Sequence, residues 1–264
     1  MGGTSPSTDI DSDGSLHPSV VVFDLDDTLA ESKSPVTADM VSRVLALLDR
    51  VDTCIISGAR FEQFETQFLN QVPDGGHRLD RLHIMPTCGT RYYRYEDGTW
   101  ACLYAEDLSE AEKITIVDVL TAGARELGLA ESETWGEVIE DRHSQITFSA
   151  LGQRAPYVAK VAWDPRGEKK EALRKYAVQR LPDLEVRTGG STSVDVTRKG
   201  IDKAHGVNKL VENLGIDLSS VLFVGDRLEP GGNDYPVREL GVRCIATKGP
   251  TETAEIIDRL LEIL

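Results

Sequence analysis

The chain has 264 residues, 40% of them hydrophobic, and its 44 acidic against 29 basic side chains give a formal charge of −15. That length supports two modest domains with real cores, and the charge argues against nucleic-acid and anionic-membrane partners, both of which select basic surface. No apolar run approaches the ~20 residues that span a bilayer, and no secretory pattern opens the chain, so a cytoplasmic protein without a membrane partner is expected.

Residues 1–18, rich in Ser, Thr, Gly, Asp and Pro, predict a flexible leader. The apolar run Val20-Val21-Val22-Phe23 predicts a short buried strand, and it ends in Asp24-Leu25-Asp26-Asp27-Thr28-Leu29. Three carboxylates at the end of a buried strand repel one another unless a cation neutralises them or one keeps a proton. Carboxyl ends of strands are where open α/β sheets bind ligands, so an acidic pair there with a metal suits phosphoryl transfer; an acidic turn capping a strand is the plainer alternative. A helix is expected from about residue 37, with Met40, Val41, Val44, Leu45 and Leu48 on one face. A second strand, Thr53-Cys54-Ile55-Ile56, ends in Ser57-Gly58, followed by Ala59-Arg60 and a helical Phe61, Phe64, Phe68 spacing. A hydroxyl and free N–H groups at a helix start suit a phosphate, though Ser is also an ordinary cap.

A hairpin is expected over residues 91–103, turning at Glu96-Asp97-Gly98-Thr99. Ser109 and Glu112 form a capping box for a helix ending before Gly128. Strands at 137–140 and 145–149, a charged helix at 167–180 and strands at 184–187 and 193–196 complete an insert that reads as a small α+β layer. Lys203 then opens a helix to about Leu214; by itself such a lysine is an ordinary solvated side chain. The apolar strand 221–224 breaks at Gly225-Asp226, and a glycine-rich loop brings in Asn233-Asp234. Cys54, Cys88, Cys102 and Cys244 show no Cys-x-x-Cys spacing, so reduced thiols are expected and a zinc site is not.

In this order the four pieces resemble the four motifs of the haloacid dehalogenase (HAD) phosphotransferase superfamily: Asp-x-Asp-x-Thr-Leu, a Ser strand end, a Lys, and Gly-Asp…Asn-Asp. The resemblance runs from about Ser19 to the end of the chain. It implies an α/β fold, a HAD-type Rossmann-like core with a parallel sheet over 19–90 and 199–264, and an inserted C2 cap over 91–198. Within that superfamily the segments 189–197, 201–203, 230–235, 139–142 and 149–152 resemble eukaryotic-type phosphomannomutases.

The resemblance carries roles with it. Asp24 is the expected nucleophile, forming an aspartyl phosphate, and Asp26 the expected acid/base, with Ser57 and Lys203 gripping the transferring phosphoryl oxygens. Mg²⁺ is the expected cofactor, held by Asp24, the Asp26 carbonyl and Asp226, with Asn233 and Asp234 beside it or just behind. Gly58, Arg60, Arg142, Arg154, Ser193 and Asp195 are the expected substrate contacts, and Asp27 reads as a solvent-facing turn residue. Two positions depart from the phosphomannomutase pattern, because Gln153 and Lys33 stand where arginines are expected, and only Arg offers a planar fork to phosphate. The sequence therefore favours a Mg²⁺-dependent phosphomonoester hydrolase acting on a small phosphorylated metabolite, such as a sugar phosphate, as a monomer or homodimer. A hexose-phosphate mutase using the same Asp24 stays open, as does a non-catalytic phospho-ligand binder. A response-regulator receiver shares the acidic strand ends but lacks both the insert and the Gly-Asp…Asn-Asp loop.

Overall fold

Strand β1 (Val20–Asp24) is buried at all five positions, as expected for a strand covered on both faces. Helix α1 (Ala38–Leu48) starts where the Thr37 hydroxyl accepts the Met40 N–H, and it buries Met40, Val41, Val44, Leu47 and Leu48. β2 (Asp52–Ile56), α2 (Phe61–Gln67) and β3 (Leu82–Met85) follow, then the hairpin β4 (Arg91–Glu96) and β5 (Thr99–Ala105). Asp97 and Gly98 both adopt left-handed backbone (φ 49° and 83°), the geometry of a tight turn matched to strand twist. The insert contributes α3 (Glu110–Glu126), β6 (Ile139–Asp141), β7 (Gln145–Ser149), α4 (Tyr157–Trp163), α5 (Glu168–Val178), β8 (Leu184–Thr188) and β9 (Ser193–Arg198). The chain ends with α6 (Lys203–Leu214), β10 (Val221–Gly225), α7 (Tyr235–Glu239), β11 (Arg243–Ala246) and α8 (Pro250–Ile263). This is a computed structural model that describes residues 17–75 and 78–264, so nearly all of the expected leader lies outside the described residues.

The strands form a seven-stranded sheet, ordered β11-β10-β1-β2-β3-β4-β5, and a four-stranded sheet, ordered β6-β7-β9-β8. In the first, β11, β10, β1, β2 and β3 are parallel and β4 runs antiparallel to β3. Apolar clusters fill both faces, one around Phe23, Leu47, Ile55, Phe64 and Ile257, the other around Val22, Ile56, Val207 and Phe223. This is the HAD-like α/β fold. The second sheet is wholly antiparallel and alternates by face: Ile146, Phe148, Val186, Val194 and Val196 join Ile116, Leu120 and Leu173 of α3 and α5 in a separate core.

The chain divides into two compact units, one ending at Tyr104 and resuming at Asp202, the other running from Ala105 to Ile201. The hairpin that the sequence reading placed in the insert instead extends the core sheet. Its residues Tyr92 and Tyr93 are buried in the core's own clusters, which local periodicity could not reveal. Helix α4, absent from the sequence reading, occupies the stretch before α5. Among the described residues no helix is long and apolar enough to cross a membrane.

A polar chain ties β2, β3 and β4 together inside the core. Arg81 Nε lies 2.7 Å from Asp52 Oδ1 and His83 Nε2 lies 3.4 Å from Asp52 Oδ2, while His83 Nδ1 meets the Tyr92 hydroxyl at 2.7 Å. Burial pushes the Asp52 carboxyl up, but the bonds from His83 and Arg81 outweigh it and hold the group at about 2. A depressed carboxylate contributes stability that is complete above its unfolded pKa and is lost as pH falls through the folded one. Asp52→Asn should cost roughly 1–2 kcal/mol near neutrality. Urea denaturation should show that difference shrinking as the pH drops from 3.8 toward 2, the interval set by the shifted carboxyl.

Candidate active site

β1, flanked by β2 and β10, delivers Asp24 to the carboxyl edge of the sheet, where its side chain is 3% exposed. Immediately after it the chain makes a single tight turn, with Leu29 and Ala30 N–H groups both donating to the Leu25 carbonyl, and closes with an Asp26–Ala30 bridge. Lys203, the first residue of α6, is 1% exposed and places Nζ 2.5 Å from both Asp24 Oδ1 and Asp234 Oδ1. Asp234 is fully buried, and its other oxygen accepts the Arg227 N–H at 3.0 Å. Gly225 makes room for it: a Cβ there would collide with Asp234 Oδ2. Asp226, at the end of β10, is half-buried beside them, and one oxygen each from Asp24, Asp226 and Asp234 falls within 4.8 Å of the others.

Three carboxylates face one ammonium. Burial drives the Asp24 carboxyl up to about 7 against the pull of Lys203. Burial raises Asp226 too, reinforced by the charge of Asp234. Burial opposes the charge on Lys203, but Asp24 and Asp234 hold it above its ordinary range. The excess negative charge and the all-oxygen donor set fit a hard divalent cation such as Mg²⁺. Asp24, Asp226 and Asp234 are the carboxylates close enough together to hold it. Asp234 is also engaged by Lys203 and the Arg227 N–H; Asn233 is exposed on the loop.

Ser57, at the end of β2, is 4% exposed, and its hydroxyl oxygen accepts the Ala59 N–H at 3.2 Å, leaving its proton to donate to an anion. Arg60 is exposed at the start of α2, 3.5 Å from Glu62. The Asp26 carboxylate accepts from the Lys33 N–H at 2.7 Å, from Gln67 Nε2 at 3.1 Å and from Gln63 Nε2 at 3.2 Å. These three donors fix where the carboxylate points, so reaching a leaving oxygen would require Asp26 to leave the two glutamines. Gln63 and Gln67, four residues apart on α2, are site residues that the sequence reading missed. Their spacing puts them on one helix face, but nothing in the sequence says what that face meets. Asp27 has a left-handed backbone (φ 58°) and an exposed side chain that accepts the Ser32 N–H, in keeping with a turn residue.

In the insert, Arg142, Ser193 and Asp195 share the polar face of the four-stranded sheet. Register aligns Glu140, Thr147, Asp195 and Arg187 across it. Thr147 Oγ1 donates to Asp195 Oδ1 at 2.7 Å, Gln145 Nε2 donates to Thr147 Oγ1 at 2.9 Å, and Arg142 Nη2 donates to Glu140 Oε2 at 2.7 Å. Burial raises the Asp195 carboxyl, and the nearby Arg142 charge partly offsets it. Gln153 has a buried Nε2 with no partner among the described residues, and Lys160 Nζ reaches its carbonyl at 3.3 Å. Arg154 is exposed and lies against Gly136. Glu140, Gln145 and Thr147 were not singled out from sequence, because cross-strand register was not available to group them, and Lys160 lies on α4, a helix the sequence reading lacked.

Protons compete with a cation for Asp24 below about pH 7, where its buried carboxyl titrates. Mg²⁺ affinity measured by calorimetry should therefore weaken by about tenfold per pH unit on the acid side. Asp226→Ala should abolish the binding while leaving the circular dichroism spectrum intact.

The model of the haloacid dehalogenase-like hydrolase family matches residues 21–237. A probable phosphomannomutase of Caenorhabditis elegans is 23% identical over 260 residues, covering 93% of this chain and 96% of that protein. A phosphomannomutase of Encephalitozoon cuniculi is 25% identical over 265 residues, covering 92% and 93%. Among solved structures, a haloacid dehalogenase-like hydrolase from Bacteroides thetaiotaomicron superposes with a TM-score of 0.62 at 18% identity, covering 92% of this chain and 99% of that one. An N-terminally truncated IMP-nucleotidase of Plasmodium falciparum gives 0.67 at 16%, covering 94% and 71%. These structural likenesses speak to the fold. With the family match spanning most of the chain, and Asp24 and Asp234 meeting on one lysine, the protein belongs to the haloacid dehalogenase-like hydrolase family.

Proposed function

We propose that the protein is a Mg²⁺-dependent phosphomonoester hydrolase that acts on a small phosphorylated metabolite, most simply a sugar phosphate, through a covalent phosphate on Asp24. The observation that carries the aspartyl-phosphate chemistry is the Asp24–Lys203–Asp234 ion triad with Asp226 alongside, which with a divalent cation bound would accept an anionic phosphoryl group despite the acidic chain; Gln153 and Lys33 tip the reading toward hydrolysis. The bound cation supplies charge neutralisation at the phosphoryl oxygens. Asp24 Oδ attacks phosphorus in line while the ester oxygen leaves, and Asp26, once free of Gln63 and Gln67, gives that oxygen a proton. Lys203 Nζ and the Ser57 hydroxyl hold phosphoryl oxygens as charge shifts onto them. Asp26 then takes a proton from water, which attacks the phospho-Asp24 and restores the carboxylate with release of inorganic phosphate.

The insert supplies the alcohol-side contacts in this reading. Arg142, Ser193, Asp195 and Thr147 form a polar face suited to hydroxyl groups, with Asp195 and Thr147 already paired. A mutase is the second reading, favoured by the full-length similarity to phosphomannomutases. Against it stand Gln153 and Lys33. The first offers an amide where a forked guanidinium would grip a second phosphate, and the second is an exposed ammonium on the loop after Asp26.

Asp24→Asn should keep ligand binding and lose turnover, with no phosphate trapped on the protein in acid-quench labelling. Arg142→Ala should raise KM for the true substrate by about tenfold or more, with little effect on a small chromogenic ester. Mannose 1-phosphate and glucose 1-phosphate, incubated with enzyme, Mg²⁺ and a hexose bisphosphate, should yield inorganic phosphate as the main product. Isomerised sugar phosphate exceeding it by about tenfold, or ~1.4 kcal/mol in relative barrier, would select the mutase.

A further inference from the structure

We infer that Gly206 and the left-handed turn Thr87–Gly89 are positioning residues for phosphoryl transfer, setting Lys203 in register with Ser57 through contacts between backbones. The inference rests on the catalytic roles proposed above for those two side chains. Neither Gly206 nor the turn belongs to the four motifs.

The turn follows β3 and holds three successive residues at positive φ: Thr87 at 47°, Cys88 at 56° and Gly89 at 81°. Glycine adopts this conformation freely, whereas a β-branched residue does so only under constraint. The constraint is visible on one side of the turn. Thr87 N–H donates to the Ala59 carbonyl at 2.8 Å and Cys88 N–H to the Ser57 carbonyl at 2.9 Å, while Ser57 N–H donates to the Met85 carbonyl at 3.3 Å. Three backbone bonds thus fasten both ends of the Ser57-Gly58-Ala59 segment to β3 and its turn. Thr87 and Thr90 hydroxyls, 2.5 Å apart, tighten the turn from within, and Tyr104 donates its hydroxyl to the Gly89 carbonyl at 2.7 Å.

The other side of the turn meets α6. A Cβ on Gly89 would collide with Gly206 Cα. A Cβ on Gly206 would fall 2.7 Å from the Cys88 carbonyl oxygen and would also strike Cδ1 of Ile56, the residue before Ser57. Gly206 follows Lys203 by three positions, one helical turn, and so shares its face. The first turn of α6 therefore rests directly on the residues that hold Ser57. Backbone atoms cannot rotate away as a side chain can, so any displacement of the helix carries Lys203 Nζ with it, away from Asp24 at 2.5 Å. A glycine pair serving packing alone would need neither the strained Thr87 nor the bonds into the Ser57 loop.

Gly206→Ala tests this cleanly, because alanine is the better helix former and the substitution weakens nothing within α6 itself. The assay uses p-nitrophenyl phosphate with Mg²⁺, inhibition by orthovanadate, and thermal melting of the same samples. The expected result is a kcat lower by about tenfold or more, with KM nearly unchanged, vanadate inhibition weakened in proportion to kcat, and a cooperative melt retained. A folded Gly206→Ala with parental kcat and vanadate inhibition overturns the inference, as does a loss of rate that only tracks the unfolded fraction. Should Gly206→Ala fail to fold, Thr87→Gly decides, since it loosens the turn without adding atoms: a lowered kcat with proportionate loss of vanadate inhibition supports the inference, and parental values overturn it. Absence of phosphatase turnover in the parent chain would be a separate result, overturning the proposed function and the inference with it.

Discussion

A single ammonium, Lys203, sits between two carboxylates in the interior of the core, and much of the surrounding architecture is the condition for that arrangement. Burying one ionised side chain without a partner is costly, and here three of the four charges are nine-tenths buried or more. Lys203 answers Asp24 and Asp234 at equal distances, and the Arg227 N–H answers the second oxygen of Asp234. One negative charge remains, together with that of the half-buried Asp226. The imbalance suits the cluster to a divalent cation and, in the proposed reaction, to an anionic phosphoryl group that the chain's overall charge would otherwise repel.

The sheet order makes the arrangement possible. Asp24, Ser57 and Asp226 lie far apart in sequence, yet β1 is flanked by β2 and β10, so all three emerge side by side at one edge. Right-handed crossovers through helices return each parallel strand to the same starting edge, which is why the chemistry collects at the other. Lys203 arrives by a different route, at the N-terminus of α6. Small residues then fix the fine distances: Gly225 admits the Asp234 carboxylate, and Gly206 lets α6 approach the turn after β3.

The parts legible in the sequence are those in which local chemistry and local periodicity coincide. The acids after 20–23, the Ser-Gly after 53–56 and the Gly-Asp after 221–224 stand out because a polar group ending a buried apolar strand costs desolvation energy that a bound ion or ligand offsets. The capping box at Ser109 and Glu112 formed as written, and α3 stops before Gly128, whose φ is 65°. What depends on tertiary contact was hidden. The hairpin β4–β5 reads the same whether it joins the insert or the core, and only burial of Tyr92 and Tyr93 tells which. Gln63 and Gln67 look like the solvated face of an amphipathic helix until Asp26 is seen between them. The pairing of Thr147 with Asp195 needs strand register that a single sequence does not contain.

Hydrolase and mutase differ in a place the core cannot reveal. In the proposed mechanism both begin with Asp24 attacking phosphorus, both place Lys203 and Ser57 at the phosphoryl oxygens, and both use Asp26 for the proton. They part only after the aspartyl phosphate forms, when either water or a retained sugar hydroxyl attacks it. Retention depends on how firmly the non-reacting end of the molecule is held while it turns over. A forked guanidinium holds a phosphate with two parallel bonds, whereas an amide offers one N–H pair and no charge. Gln153 presents that amide, its Nε2 buried and without a partner among the described residues, so a ligand oxygen placed there gains a hydrogen bond and no ion pair. In the proposed reading, Glu140 and Asp195, on the polar face of the insert's sheet, suit the hydroxyl groups of an uncharged sugar end better than a second phosphate. On the proposed hydrolase reading, that weaker grip leaves water as the second acceptor.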